Sequence, residues 1–185
     1  NSPVILTFAS ICLVALLLGM ITGGASTGLV FMTYQGKLTN PMTYVRLFTH
    51  VLGHADWAHF IGNMSYILLL GPMLEEKHGS SRIVEIILVT AFVTGLINCI
   101  LFPGVKLCGA SGVVFAFILL TSFTNFKEGE IPLTFILVAV IYLGQQVFDG
   151  LTLRDNVSNL SHIIGGIVGA VCGYYLNKRK RKVTA

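Results

Sequence analysis

The chain has 185 residues, of which 54% are hydrophobic and 11% are charged, and its formal net charge is +4. Because a soluble domain carries roughly 25% charged residues, this composition excludes a water-soluble globular protein and predicts an integral membrane protein. The positive charge lies largely in the tail KRKRK at residues 178–182, which is typical of a basic cluster that touches anionic lipid. We therefore expect the lipid bilayer as a partner, and no nucleic acid.

Six apolar segments are candidates for membrane spans, because a bilayer core of ~30 Å requires roughly 17–25 residues of helix. The second and the fourth are short for this thickness. The predicted spans are residues 4–21, 59–74, 83–102, 110–124, 131–148 and 160–176. They predict an all-α, polytopic membrane protein, in which a bundle of six transmembrane helices forms a single domain over residues 1–185.

The connection between the first two spans, residues 22–58, is far longer than a link between two helices needs to be. It is rich in aromatic residues and carries few charges, whereas a disordered linker would be more polar. We therefore expect a long, ordered, membrane-interfacial first loop that lies beside the bundle.

The distribution of Lys and Arg predicts the orientation of the spans in the membrane. If the basic tail is cytoplasmic, six spans place both termini in the cytoplasm, with eight basic residues inside and four outside. Spans two, four and six then all run from the outer to the inner face. Their first turns consequently lie at the same depth.

Four polar side chains occupy these first turns: His59 and Asn63 in span two, Ser111 in span four and His162 in span six. Polar residues within a span are costly and are often functional. Taken singly, the serine could bond to its own helix and the asparagine could join two helices. Their shared depth instead favours one common site near the outer face of the membrane.

Glycines accompany the serine and the last histidine. His162, Gly165 and Gly169 lie on one stripe of span six, and glycines flank Ser111, beginning with Gly109. Small residues at such positions allow two helix backbones to approach closely. If these two stripes meet, His162 faces Ser111.

This arrangement predicts nucleophilic catalysis. A serine needs a base to become a nucleophile, and His162 can serve as the base for Ser111. A developing oxyanion needs preorganised donors, which His59, Asn63 and the backbone N–H of Ser111 can supply. The G-x-S-x-G elbow of soluble hydrolases does not fit, because Val113 stands where its last glycine should be.

In the same order along nearly the whole chain, four segments resemble the rhomboid family of intramembrane serine proteases: 54–63 (HADWAHFIGN), 71–80 (GPMLEEKHGS), 109–112 (GASG) and 161–170 (SHIIGGIVGA). The resemblance implies a six-helix core and a Ser–His dyad without an acid. It also implies an acyl-enzyme, no cofactor, and cleavage of transmembrane protein substrates in or near their membrane segments.

Residue by residue, the resemblance implies that Ser111 is the nucleophile, His162 the base, and His59 and Asn63 the oxyanion donors. It assigns structural roles to Glu75 and Gly79 at the cytoplasmic end of span two, and Arg46 matches the arginine of the family's first loop.

Two positions depart from the family pattern. Phe115 stands where many rhomboids have a tyrosine that stacks on the catalytic histidine, so packing on His162 is expected without a phenol. The Trp-Arg pair of the first loop reads Val45-Arg46, which predicts a different anchoring of that loop.

Alternatives to a protease remain at this point. His50, His54, Asp56 and His59 are dense enough for a metal site, although no HExxH-like base accompanies them, and we expect no metal. A transporter would usually show inverted repeats, which we do not find. The main alternative is a non-catalytic rhomboid-like protein that binds transmembrane clients.

The sequence also indicates the membrane in which the chain lies. The lack of a further domain favours a bacterial plasma membrane, with the active site toward the outer face. The sequence leaves open whether Cys99 and Cys108 pair.

Overall fold

The computed structural model describes residues 2–124 and, beyond them, residues 133, 136–137, 140–141, 164–168 and 171. Six helices lie within the first of these ranges: α1 (Pro3–Ile21), α2 (Ala25–Val30), α3 (Pro41–Thr49), α4 (Trp57–His78), α5 (Ser80–Leu101) and α6 (Ser111–Thr124). A 3-10 turn, His50–Leu52, separates α3 from α4. The described residues after 124 are helical as well. The predicted all-α class is therefore confirmed for the described residues.

Two of the described helices, α1 and α5, are long and apolar enough to cross a membrane, and α6 is a shorter apolar helix. The fifth and sixth predicted spans, residues 131–148 and 160–176, lie largely outside the described residues. The connection at residues 22–58 folds into α2, α3 and the 3-10 turn.

Helix α4 is longer than the predicted span at residues 59–74. It begins two residues earlier because the Asp56 side chain caps it, accepting a hydrogen bond from the backbone N–H of His59. It continues through the charged residues that end the apolar run, since a helix end is set by backbone geometry and not by hydropathy. Gly79, with φ +85°, ends it, and α5 begins at the next residue, Ser80.

Helix α4 lies at the centre of the described fold and packs against α1, α5 and α6. It approaches α1 closely at Gly71, where a Cβ would lie 2.6 Å from Ile5 Cδ1. Buried apolar residues of these helices form the core, among them Ile67 of α4, Ile83 of α5 and Phe117 of α6.

Near the C-terminal end of α4, a buried carboxylate makes hydrogen bonds to both α1 and α5. Glu75 is 4% exposed and accepts hydrogen bonds from the backbone N–H groups of Val4 and Ile5, each at 3.0 Å. It also accepts one from the Ser80 hydroxyl at 2.7 Å. The first N–H groups of a helix have no partner within that helix. Glu75 thus caps α1 from a distant part of the chain.

We expect Glu75→Ala to lower the free energy of unfolding by about 2 kcal/mol or more, because the amides of Val4 and Ile5 lose a charged acceptor. Thermal unfolding in detergent measures this. The neighbouring exposed carboxylate offers a matched control, and Glu76→Ala should shift the melting temperature little. Equal shifts for the two variants would contradict the capping role.

Candidate active site

The loop between α5 and α6 leads into Ser111, and hydrogen bonds hold this loop in place. The Asn98 side chain donates to the backbone carbonyl of Val105 at 3.1 Å, which fixes the start of the loop. Further on, Leu107 and Thr33 exchange two backbone hydrogen bonds of 2.9 Å in an isolated antiparallel bridge. The loop before Ser111 is therefore fastened both to α5 and to the first loop.

The first loop is anchored by a buried arginine. Arg46 is 3% exposed, and its guanidinium lies 4.0 Å from the centre of the Tyr34 ring while donating to the Tyr34 hydroxyl at 2.7 Å. The Lys106 ammonium lies 5.6 Å from the centre of the same ring. Tyr34 thus contacts a cation from each loop, next to the bridge at Thr33. This contact anchors the first loop, in which Val45 stands where the Trp-Arg pair described above has its tryptophan.

Gly109 brings the polar residues of α4 to the start of α6. Its φ of +125° favours glycine, and its backbone N–H donates to the carbonyl of His50 at 2.9 Å. A Cβ at this position would lie 2.6 Å from His59 Nε2 and 3.7 Å from Asn63 Nδ2. The imidazole and the amide therefore lie against Gly109, two residues before Ser111.

Asn63 is only 5% exposed, and its Nδ2 has no hydrogen-bond partner within the part of the chain that the structure describes. A buried donor that makes no hydrogen bond is costly, and such exceptions in a native structure require an explanation. Here the donor lies beside Gly109, where it can meet an incoming acceptor.

Ser111 is the first residue of α6 and is half-buried, whereas Ala110 and Val113 beside it are buried. The backbone N–H groups of a first helical turn have no carbonyl partner within the helix, and the helix dipole favours negative charge at this end. The start of α6 can therefore stabilise an anion that forms next to the Ser111 hydroxyl.

A second histidine supports His59. The rings of His54 and His59 meet edge to face with centroids 5.1 Å apart. His54 Nδ1 lies 3.2 Å from the Leu52 carbonyl, and burial, together with the neighbouring His59, lowers the pKa of His54 to about 4. His54 is accordingly neutral near pH 7, and its Nδ1–H donates to that carbonyl. The sequence pattern indicated His54 only as a member of a possible metal site.

The helical residues 164–168 approach α6 closely. A Cβ on Gly165 would lie 2.1 Å from the backbone oxygen of Gly112, and one on Gly166 would lie 2.6 Å from Cδ1 of Phe115. The glycine stripes predicted for the fourth and sixth spans therefore meet at Gly165 and Gly112. His162 and Gly169, which belong to the same predicted stripe, lie outside the described residues.

Within the described part of the chain, no three His, Cys, Asp or Glu residues are grouped so that they could hold a metal ion. Among the residues of the alternative metal site, His50 is engaged elsewhere, since its Nε2 lies 3.0 Å from the Ala91 carbonyl. Cys99 and Cys108 are both free thiols, and burial raises the pKa of Cys108 to about 11.

We expect Gly165→Ala to destabilise the protein by about 1–3 kcal/mol, because the added methyl group would collide with the α6 backbone at Gly112. Thermal unfolding in detergent measures the loss. Gly62 is the control: it is an exposed helical glycine with nothing within 4 Å of its Cβ position. Gly62→Ala should leave stability unchanged or raise it slightly. A Gly165→Ala protein as stable as wild type would contradict the close approach.

Comparison with known proteins identifies relatives over most of the chain. A family model, the Rhomboid domain, matches residues 41–179. RHOMBOID-like protein 7 of Arabidopsis thaliana is 28% identical over 147 residues, which cover 76% of this chain and 45% of that protein. Rhomboid protease GlpG of Yersinia pestis (strain Pestoides F) is 25% identical over 180 residues, which cover 94% of this chain and 62% of that protein. The chain thus spans less than two thirds of the length of either relative.

Proposed function

The chain belongs to the rhomboid family, and from this membership we propose that it is an intramembrane serine protease that cleaves peptide bonds in or near transmembrane segments of membrane proteins. The observation that carries the proposal is the position of two polar side chains near the start of α6. His59 and Asn63 lie against Gly109, and Ser111 follows two residues later. Family membership also makes the chain an integral membrane protein.

In the proposed reaction the Ser111 hydroxyl oxygen attacks the scissile carbonyl, and His162 takes up the hydroxyl proton. The resulting oxyanion accepts hydrogen bonds from Asn63 Nδ2, from the ring N–H of His59 and from the backbone N–H of Ser111. Protonated His162 then gives its proton to the leaving amine, and the peptide bond breaks to leave an acyl-enzyme. Water, activated by the same base, hydrolyses the ester and regenerates the serine.

Two contacts support His162 as the base. Gly165 and Gly166 lie against Gly112 and Phe115 of α6, so the segment that follows His162 by three and four residues is close to the turn that begins at Ser111. Phe115 is one turn after Ser111 and is the proposed packing partner of the base. No carboxylate is assigned to orient the imidazole, so packing must hold it.

The proposed topology places both termini in the cytoplasm and the active site toward the outer face. It rests on the excess of Lys and Arg on the inner side of six spans. Substrates are therefore proposed to be cut near the outer end of their transmembrane segments.

A fluorophosphonate reacts with a serine only when its hydroxyl is activated, so its reaction tests the dyad directly. We expect labelling of the wild-type protein at Ser111, identified by mass spectrometry of the labelled peptide, and cleavage of a model transmembrane substrate. Ser111→Ala and His162→Ala should abolish both. The two aspartates nearest in sequence to His162 are controls, and Asp149→Asn and Asp155→Asn should keep most of the labelling.

Each failure of this test has a distinct meaning. Labelling that survives His162→Ala would overturn the dyad, and its loss in either Asp variant would reveal a triad. A wild-type chain that binds transmembrane segments without cleavage or labelling would support the alternative, a non-catalytic rhomboid-like protein that holds membrane clients.

We expect Asn63→Ala to lower kcat by about 10²–10³ and to change the melting temperature little. Its Nδ2 has no protein partner among the described residues, so its removal breaks no described hydrogen bond of that atom. Asn98→Ala is the contrasting variant, because Asn98 donates to the Val105 carbonyl and should be needed for stability. If Asn63→Ala melted much lower while the folded fraction kept its full kcat, the amide would be a structural link and not an oxyanion donor.

A further inference from the structure

The start of α4 links a surface carboxylate to the imidazole beside Gly109. Asp56 has an extended backbone, with φ −157° and ψ 178°, and is the N-cap residue of α4. Its carboxylate oxygen Oδ1 accepts the backbone N–H of His59 at 2.8 Å. The amide that is capped therefore belongs to the residue whose ring lies against Gly109.

The ring of His59 depends on this backbone for its direction. Within the described residues, neither of its ring nitrogens has a hydrogen-bond partner. The ring touches His54 edge to face, and its Nε2 lies against Gly109. His54 is itself fixed by the Leu52 carbonyl. A side chain held by packing on two sides, and by no hydrogen bond in this part of the chain, moves when its Cα moves.

We propose that Asp56 is a positioning residue for the reaction, because its cap fixes the first turn of α4 so that the imidazole of His59 is directed at the oxyanion beside Gly109. The inference rests on the proposed function, in which His59 donates to that oxyanion. Asp56 does not contact the reacting atoms in this scheme and acts through His59.

The hydrogen bond, and not the negative charge, carries this role. Asp56 is exposed to solvent, and the high dielectric constant of water weakens the effect of its charge on nearby groups. Asn and Ser cap helices about as well as Asp, whereas Ala does not. An uncharged capping residue at position 56 should therefore preserve the function of Asp56. This expectation distinguishes a positioning role from a direct electrostatic effect of the carboxylate.

The chain contains a matched control at α3. Asn40 is an exposed N-cap whose side chain accepts the backbone N–H of Met42 at 3.0 Å. Loss of either cap should lower the melting temperature by about 2–4 °C. Asp56→Ala should in addition lower kcat by about 10–100-fold with little change in KM. This loss is smaller than the loss expected when an oxyanion donor is removed altogether. Asn40→Ala should leave kcat unchanged, and Asp56→Asn should restore most of it.

A double-mutant cycle tests whether Asp56 acts through His59. In a His59→Ala background, Asp56→Ala should cost almost nothing further in kcat, because the ring that it positions is gone. An unchanged kcat in Asp56→Ala would overturn the inference. So would a loss in Asp56→Asn as large as in Asp56→Ala, or full additivity with His59→Ala.

A measurement without turnover keeps the inference distinct from the proposed function. In protein labelled with ¹⁵N-histidine, Asp56→Ala should shift or broaden the ring signals of His59 and leave those of buried His50 in place. Asp56→Asn should leave both sets unchanged. If wild type cleaves no substrate, the proposed function fails while this spectrum still decides the positioning. Unperturbed His59 signals in Asp56→Ala would reject the positioning role, whatever the activity.

Discussion

His50 holds the first loop, α5 and the loop before Ser111 to one another, and the geometry of the candidate site depends on it. Its ring Nε2–H donates to the Ala91 carbonyl at 3.0 Å, and its own carbonyl accepts the Gly109 amide at 2.9 Å. Gly95 makes room for the ring, since a Cβ there would lie 3.0 Å from Nε2. Burial lowers the pKa of His50 to about 4, so the ring is neutral near pH 7 and remains a donor at one nitrogen only.

The fixed position of Gly109 affects both the side chains that pack against it and the helix that follows it. With its φ of +125° it presents a face without a side chain to His59 and Asn63, and the chain then enters α6 at Ser111. A hydrocarbon environment supplies no hydrogen bonds, so buried polar groups must find partners inside the protein. Most described ones do, as Glu75 shows with three accepted hydrogen bonds. The amide of Asn63 is an exception at the position where the proposed chemistry needs a free donor.

Much of this arrangement could be predicted from the sequence. The features that could not be predicted have one physical cause in common. Apolar runs predicted helices near α1 and α5, and helix direction grouped His59 and Asn63 with Ser111. Helix α4 extends beyond both ends of the predicted span at residues 59–74, because the Asp56 cap and the positive φ of Gly79 set where the helix begins and ends. The hydrogen bonds of Glu75 to Val4 and Ile5 join residues about 70 positions apart. A contact between such distant residues produces no periodic pattern in the sequence from which it could be predicted.

On the proposed mechanism, the contact between α6 and residues 164–168 holds the base in place without an acid. In a triad, the acid orients the imidazole through a hydrogen bond. Here Gly165 and Gly166 both lie within contact distance of α6, one against backbone and one against the Phe115 ring, so two consecutive residues fix the register of the facing segments. On the proposed mechanism His162 precedes these glycines by three and four residues, and backbone contact replaces the missing carboxylate. On this mechanism Gly165 must lack a side chain, because a Cβ there would lie 2.1 Å from the backbone oxygen of Gly112.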